Sequence, residues 1–226
     1  MRQPDLSPDV VAAVLEVRGR LRVVQELDPA RTALVVIDMQ NFFVEPGQPL
    51  EIPAARDIVP NINRLAATAR QAGATVVWVR MTLDEAELDR WSVFLPVNGT
   101  PDRRASFASI EAGKPAHRLW AGLEVDDGDL IVDKTRFSAF IHGSSDLQAR
   151  LDERGIDTLL IVGTLTNVCC ESTGRDAMML NYRVVMVDDA NATFSERAHR
   201  ATLDNFVTFF GDVCSTDQVI AMLEGS

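Results

Sequence analysis

The sequence predicts an α/β fold: a mostly parallel, six-stranded sheet between two layers of helices, in a doubly wound, three-layer α/β/α arrangement. The first observation is that short runs rich in β-branched residues, such as 32–37 and 158–162, are apolar throughout, which is typical of strands buried on both faces. The second is that helical patterns alternate with these runs. The third is the length, because 226 residues with 46% hydrophobic side chains suit one large α/β domain.

Each element has a local signal, beginning with an N-terminal helical extension over residues 1–30. Ser7 is predicted to cap its helix, with Pro8 at the first helical position; the pattern leaves open whether this helix packs on the sheet or on another subunit. The later elements are predicted, in chain order, as strand 32–37, loop 42–56, helix 58–72 closed by Gly73, strand 75–79, irregular segment 83–123, strand 129–132, helix 147–154 closed by Gly155, strand 158–162, a helix from near 169, strand 184–187, helix 195–206, strand 213–214 and helix 217–223. No linker or repeat interrupts them, so we expect 1–226 to form a single domain.

The irregular segment 83–123 is long for a connection inside a compact domain, and such segments usually serve as lids or specificity loops. Glycine and proline interrupt it at Pro96, Gly99, Pro101, Gly113 and Pro115. Its aromatic residues are Trp91, Phe94, Phe107 and Trp120. Two interpretations stay open: these side chains wall a pocket, or they form a satellite hydrophobic cluster under the loop.

Composition excludes several classes of protein. A formal net charge of −11 argues against nucleic-acid binding, which needs a basic face. Charges interrupt every apolar run, so no membrane span is expected, and residues 1–5 lack the apolar core of a signal peptide. Three cysteines, two of them adjacent, do not make a disulfide framework, which favours a cytoplasmic location.

Three chemically capable side chains follow the ends of predicted strands. Asp38 comes after 32–37, Lys134 follows 129–132, and Cys169 follows 158–162 at the predicted start of a helix. Because the carboxyl ends of strands share one edge of a doubly wound sheet, we expect the three to converge. Each has an ordinary alternative: Asp38 as a turn cap, Lys134 as a solvated charge, and Cys169 as a small buried hydrophobe.

The position of Cys169 suggests a nucleophile, since the chain is predicted to turn at Gly163 and enter a helix near Cys169. The positive end of a helix lowers the pKa of a thiol, and free N–H groups there can hold an oxyanion. The three side chains together indicate acyl transfer through a covalent intermediate. In this hypothesis Cys169 attacks a carbonyl, Asp38 carries the proton to the leaving nitrogen, and Lys134 holds both charges in place.

Three segments resemble the isochorismatase-like cysteine hydrolase superfamily: LVVIDMQN at 34–41, DKTRFSAF at 133–140 and GTLTNVCCESTGRDA at 163–177. The resemblance runs from about Leu27 to the C-terminus, and its third motif is highly specific. It implies an isochorismatase-like, Rossmann-like fold and a triad of Asp38, Lys134 and Cys169. It also implies a cis peptide between Thr164 and Leu165 that aims the N–H groups of Leu165 and Cys169 at the oxyanion, with Cys170 as a packing residue that faces away.

Departures within the superfamily narrow the expected chemistry. The nicotinamidase branch holds a metal through an Asp-x-His motif and a further histidine, and none of His117, His142 and His199 has that spacing; we therefore expect no metal and no other cofactor. The branch that cleaves the isochorismate vinyl ether lacks the cysteine, so Cys169 favours C–N bond hydrolysis, in a form similar to ureidoacrylate and N-carbamoyl amidohydrolases. Vinyl-ether hydrolysis and a catalytically silent scaffold are the alternatives. The superfamily also implies a homodimer or homotetramer acting on a small molecule.

Several residues near the three motifs are candidates for contact with the substrate. They are Gln40, Asn41, Phe43, Arg80, Phe137 and Phe140. Each has a second interpretation: the two amides only pin a loop, and the aromatic rings belong to the core. Arg80, like Arg136, either binds a substrate carboxylate or pairs with a surface acid.

Overall fold

A computed structural model of the chain describes residues 3–98 and 101–225. Within these residues a six-stranded sheet has the order β3-β2-β1-β4-β5-β6, and every adjacent pair is parallel. The strands are β1 (Thr32–Ile37), β2 (Thr75–Met81), β3 (Leu130–Lys134), β4 (Thr158–Thr164), β5 (Arg183–Ala192) and β6 (Asp212–Cys214). The order reverses between β1 and β4, so the sheet is doubly wound, which confirms the predicted fold class.

Helices cover both faces of this sheet. They are α1 (Pro8–Arg18), α2 (Asn41–Val44), α3 (Ala54–Asp57), α4 (Val59–Ala72), α5 (Glu85–Arg90), α6 (Phe94–Asn98), α7 (Pro101–Ala108), α8 (Leu147–Asp152), α9 (Glu171–Met179), α10 (Glu196–Phe209) and α11 (Thr216–Leu223). Helices α4 and α11 contribute to the core on one face, and α8, α9 and α10 contribute to the core on the other. Within the described ranges, no helix is both long and apolar enough to span a bilayer.

The side chains of β1 point alternately to the two faces of the sheet, and this explains why the sheet needs a helical layer on each face. Leu34 and Val36 belong to the core beneath α4, whereas Ala33, Val35 and Ile37 belong to the core beneath α9 and α10. All five side chains are fully buried. Successive side chains of a strand point to opposite faces, so a continuous apolar run places hydrophobic groups on both.

The N-terminal helix packs on α10, and its start differs from the prediction. Ser7 occupies the position before the helix, but its side chain makes no capping hydrogen bond. Its hydroxyl instead donates to Asp204 Oδ2 over 2.6 Å, and its backbone N–H donates to Asp204 Oδ1 over 2.8 Å. The polar groups of Ser7 therefore attach the extension to α10.

Two segments that were predicted to be irregular contain short helices. The 42–56 loop includes α2 and α3, and the 83–123 segment contains α5, α6, α7 and a 3₁₀ turn at Pro115–His117; Gly99 and Thr100 lie outside the described residues. Proline at the first positions of a helix is compatible with helical geometry, so Pro101 and Pro115 marked starts rather than loops. The aromatic residues of this segment pack over the carboxyl edge of the sheet, where Phe94 lies between Trp91 and Phe107.

Strand β4 also runs further than predicted. The chain does not turn at Gly163, because the strand continues to Thr164. Gly163 has φ of 117°, and a Cβ atom there would lie 2.1 Å from the carbonyl oxygen of Ile37. Glycine therefore permits the close approach of β4 to the end of β1, beside Asp38.

Candidate active site

Two opposite charges are buried together at the carboxyl edge of the sheet. Lys134 Nζ lies 2.8 Å from Asp38 Oδ2, and the two side chains are 0% and 1% exposed. Lys134 is the last residue of β3, and Asp38 follows β1 with φ of 54°. That left-handed conformation is uncommon outside glycine and often marks functional positions. The predicted meeting of these residues at one edge is thus seen in the structure.

The remaining contacts of this pair leave the carboxylate available. Lys134 Nζ also donates to Arg136 O over 3.1 Å and lies 3.6 Å from Met81 Sδ. Both carboxylate oxygens of Asp38 are buried, and neither accepts a hydrogen bond of ordinary geometry from the described residues. The backbone fixes the aspartate instead, because its N–H donates to Val79 O over 2.8 Å. Within the described residues, the groups that interact with the carboxylate are therefore the Lys134 ammonium and the Cys169 thiol.

Cys169 completes the cluster from β4. The peptide bond between Thr164 and Leu165 is cis, and the chain then forms a π-helical turn, Thr166–Cys170, before α9 begins at Glu171. The Cys169 thiol is buried and interacts with both Asp38 and Lys134. The three side chains therefore adjoin one another, although Cys169 lies in the π-helical turn and not at the first turn of an α-helix.

The electrostatics of the thiol differ from the prediction. Burial raises the pKa of Cys169 strongly; the charge of Lys134 opposes this rise and that of Asp38 adds to it. The predicted lowering of the thiol pKa by a helix terminus is therefore wrong, because loss of hydration outweighs the helix dipole. For Lys134, burial alone would lower the pKa, but Asp38 and Cys169 outweigh it and raise the pKa. The raised pKa favours the neutral form of the Cys169 thiol beside the ion pair.

The turn that carries Cys169 also presents backbone donors. The N–H groups of Val168 and Cys170 donate to Leu165 O over 3.0 and 3.2 Å. By contrast, the Leu165 N–H finds no acceptor among the described residues, and the Cys169 N–H finds none there outside its own turn. The side chain of Cys170 is fully buried, with Sγ 4.0 Å from Val162 O. The N–H groups of Leu165 and Cys169 therefore have no acceptor outside the turn among the described residues.

A cavity of about 250 Å³ opens onto Cys169. Most of its wall is apolar, and Phe43 and Phe137 line it as the sequence predicts. Phe94 and Phe107, from the 83–123 segment, line it as well. Both interpretations of that segment therefore apply, since its aromatic residues form a hydrophobic cluster and one side of this cluster faces the cavity.

Four of the predicted substrate contacts lie elsewhere. Gln40 is fully buried and bonds to the backbone of Met81 and His117, and Asn41 Nδ2 donates to Pro115 O over 3.0 Å. Both amides pin the loops around the site, the second of the two roles considered for them. The amide of Gln40 is fully occupied by these bonds, whereas Asn41 commits one N–H of its amide to the loop.

The other two corrections concern Arg80 and Phe140. Arg80 Nε lies 2.8 Å from Asp133 Oδ1 in a partly exposed ion pair, a partner set by the β2–β3 register. Phe140 packs against Tyr182 in the core on the α9 and α10 face of the sheet. Neither side chain lines the cavity, and Arg136 likewise pairs with Glu87 over 3.1 Å.

Sequence reasoning missed Arg103, which lines the cavity from α7. Its side chain is exposed, and among the described residues it makes only a 3.3 Å hydrogen bond to Asn98 O. The neighbouring Arg104 is instead held by Glu85 and Asp89. Only the packing of α7 distinguishes the two arginines, so the sequence carries no signal for the choice.

No cluster of three or more His, Cys, Asp or Glu side chains suited to a metal ion occurs in 3–98 and 101–225. His117 Nε2 lies 2.8 Å from Thr82 Oγ1, His142 is exposed, and His199 lies between Thr166 and Asp188. None of the three histidines therefore belongs to a cluster of metal-ligating side chains among the described residues.

The chain is similar in sequence to a known protein family and to named members of it. Residues 32–218 match the isochorismatase domain. The ureidoacrylate amidohydrolase RutB of Variovorax paradoxus (strain S110) is 33% identical over 210 residues, which cover 86% of this chain and 82% of that protein.

Two solved structures are similar in fold and sequence. A cysteine hydrolase from Pseudomonas syringae pv. phaseolicola 1448A aligns with a TM-score of 0.80 at 31% identity, over 88% of this chain and 95% of its own. The N-carbamoylsarcosine amidase from Thermoplasma acidophilum aligns with a TM-score of 0.66 at 25% identity, over 83% and 97% of the two chains. Each alignment thus covers at least 83% of this chain and at least 95% of the solved structure.

Proposed function

The chain belongs to the isochorismatase family, and from this premise we propose that it is an amidohydrolase that cleaves a C–N bond of a small amide, ureide or lactam, with Cys169 as its nucleophile. The observation that carries the proposal is the buried ion pair of Asp38 and Lys134 beside the Cys169 thiol at the floor of an apolar cavity. A thiol with an adjacent base, and a third group that holds the base in place, is an arrangement suited to covalent acyl transfer.

The first half of the reaction forms a thioester. The neutral Cys169 thiol transfers its proton to Asp38 as Sγ attacks the carbonyl carbon of the substrate, and the C=O electron pair moves onto oxygen. The N–H groups of Leu165 and Cys169 stabilise this oxyanion, an interaction typically worth about 3 kcal/mol per donor. The intermediate then collapses, the C–N bond breaks, and Asp38 returns the proton to the leaving nitrogen.

Water completes the cycle in the second half. Asp38 takes a proton from a water molecule whose oxygen attacks the thioester carbon. The C–S bond breaks, the carboxylic or carbamic acid is released, and the proton on Asp38 returns to Cys169 Sγ. Lys134 keeps a positive charge beside the aspartate and the sulfur throughout, which is supported by the raised pKa of its ammonium group.

The lining of the cavity favours one class of substrate among those that such an enzyme could hydrolyse. Its apolar wall suits a small carbon skeleton, and Arg103 at its lining can bind a carboxylate in a bidentate manner. The RutB relative is named for ureidoacrylate and the structural neighbour for N-carbamoylsarcosine, and both names describe N-carbamoyl groups attached to small acids. We therefore favour a small ureido or N-carbamoyl acid as substrate.

Release of ammonia and amine tests the proposal. Ureidoacrylate, N-carbamoylsarcosine, a simple primary amide and a lactam are incubated separately with the protein and with its Cys169→Ala and Cys214→Ala variants. We expect turnover of at least one ureide and a loss of at least about a thousand-fold in kcat for Cys169→Ala. Cys214 is also a buried free cysteine, so its variant controls for loss of a thiol. Turnover that survives Cys169→Ala would overturn the assignment.

Assembly and location are further proposals. Exposed apolar side chains on and beside α9 and α10, among them Ile141, Met179 and Phe209, support the expected homodimer or homotetramer, because such patches often mark interfaces. Light scattering on the purified chain measures its mass and tests this; a monomer at all concentrations contradicts it. Three free cysteines, all buried, support a reducing compartment such as the cytoplasm.

A further inference from the structure

A second polar chain lies behind the turn that carries Cys169. Thr166 Oγ1 is 2.9 Å from His199 Nδ1, and His199 Nε2 is 3.1 Å from Asp188 Oδ1. Thr166 is fully buried, Asp188 is 2% exposed, and the His199 side chain is 17% exposed. The chain thus joins α10 and β5 to the first residue of the π-helical turn, and the mechanism above does not use it.

Hydrogen-bond chemistry gives this chain a direction. A carboxylate only accepts hydrogen bonds, so Nε2 of His199 carries a proton and donates it to Asp188. In the neutral imidazole, Nδ1 is then the acceptor, and the Thr166 hydroxyl donates to it. Asp188 therefore fixes the tautomer and ring orientation of His199, and His199 in turn fixes the hydroxyl of Thr166.

Further hydrogen bonds and an ion pair hold the residues around His199 in place. Asp188 Oδ2 accepts from the backbone N–H of Asp5 over 3.0 Å, and Asp5 forms an ion pair with Arg200, the residue after His199. On the other side, Thr193 Oγ1 donates to Asn167 Oδ1 over 2.6 Å. The π-helical turn is thus tethered by side chains at two successive residues, and the tether at Thr166 leads back to the N-terminal segment.

We propose that His199 is a positioning residue for the Cys169 turn, holding it through Thr166 so that the N–H groups of Leu165 and Cys169 point at the oxyanion. This inference rests on the proposed function. A turn of irregular helix gains little from its own hydrogen bonds, so its precise position depends on outside contacts. Misplacement of a catalytic group by about 1 Å can lower a rate about a hundred-fold.

Kinetics of variants along the chain test the proposal. His199→Ala and Thr166→Val each remove one link, and we expect each to lower kcat by about ten- to a hundred-fold with KM changed by less than about three-fold. Thr166→Ser keeps the hydroxyl and should recover most of the activity. The double variant should be no worse than the poorer single variant, because both changes break the same link.

Two matched controls separate this effect from general damage. Thr158→Val removes the hydroxyl of another buried threonine at the opposite end of β4, where it bonds to Asp157. His142→Ala removes an exposed histidine. Both should keep wild-type kcat. If the links act independently, the losses in the double variant will multiply, and that result overturns the proposal.

Hydrogen–deuterium exchange gives a readout that needs no substrate. Peptides covering 160–172 should take up deuterium faster in His199→Ala and Thr166→Val than in the wild type and the two controls, since a lost tether lets the turn open locally. Unchanged exchange in this peptide overturns the proposal whatever the kinetics show. If the wild type hydrolyses no amide but exchange responds as expected, the proposed function fails while the structural coupling stands. Faster exchange with unchanged kcat overturns the positioning role.

Discussion

Lys134 Nζ and Asp38 Oδ2 lie 2.8 Å apart although their strands, β3 and β1, are separated in the sheet by β2. The pair therefore closes over the end of β2, where Met81 contacts the ammonium group through its sulfur. Removing two charges from water is unfavourable unless each compensates the other. Each charge of the pair is therefore stable in the protein interior only while the other is present. Changes to either residue should affect both the free energy of unfolding and the rate of hydrolysis.

Breaking one side of the pair should cost more stability than removing both charges. We expect Asp38→Asn or Lys134→Met alone to lower the free energy of unfolding by about 3–5 kcal/mol, since each leaves a buried charge uncompensated. The double variant should regain much of this loss. Urea denaturation of the four proteins measures it, and additive losses would show that the charges are not coupled. All three variants should lose hydrolysis.

The Cys169 thiol should be a poor nucleophile towards alkylating reagents in the resting protein. Burial and Asp38 raise its pKa, and a group with a raised pKa stays protonated as pH increases through the range where ordinary thiols ionise. Iodoacetamide labelling of Cys169, followed by mass spectrometry from pH 6 to pH 10, should therefore still be rising at the highest pH.

The two charges beside the thiol should shift this labelling profile in opposite directions. Asp38→Asn removes a group that raises the pKa of Cys169, so its profile should move to lower pH, whereas Lys134→Met should move it to higher pH. A wild-type profile that is already flat at neutral pH would mean a resting thiolate and would contradict the mechanism.

Arg103 should determine preference for acidic substrates. Arg103→Met should raise KM for a ureido acid by about ten-fold or more, as expected when a charge-assisted hydrogen bond is lost, with little change for a neutral amide of the same size. Arg104→Met is the matched control, because that guanidinium is occupied by Glu85 and Asp89. Equal effects of the two variants, or equal effects on both substrates, would remove Arg103 from substrate binding.

Gly163 should tolerate no side chain. Gly163→Ala places a Cβ atom 2.1 Å from Ile37 O in a backbone with φ of 117°, so β4 or β1 must shift beside Asp38, and we expect loss of both stability and activity. Gly73→Ala is the control: its φ is also positive, at 89°, but its Cβ meets nothing within 4 Å. It should cost about 1 kcal/mol and leave kcat unchanged. Thermal denaturation and initial rates of both variants check this.

The sequence predicted the six strands and their order along the chain because apolar runs are local features. Asp38, Lys134 and Cys169 each follow or end a buried strand, and parallel topology alone brings those ends together. The family was recognised from the three motifs around these residues, and the fold class was predicted from the alternation of apolar strands with helices. The C-terminal ends of β4 and β5 were placed too early, because the polar residues there, such as Thr164 and Asn191, are buried in the folded protein.

Prediction failed where burial decided the outcome. The helix-terminus argument gave the wrong direction for the pKa of Cys169, since it considered the local dipole and not the loss of hydration. Gln40 is polar and adjacent to Asp38, but tertiary packing directs its amide to the backbone of Met81 and His117. Arg103 faces the cavity and Arg104 does not, a difference set only by the orientation of α7.

The most direct test of the central claim is the mass of the protein during turnover. A reaction with a ureido or N-carbamoyl acid is quenched in acid within milliseconds and digested, and the peptide containing Cys169 is analysed by mass spectrometry. We predict that this peptide carries the acyl part of the substrate as a thioester, and that the adduct is absent from Asp38→Asn. Steady turnover with no adduct on Cys169, or with the adduct on Cys170, would contradict the account.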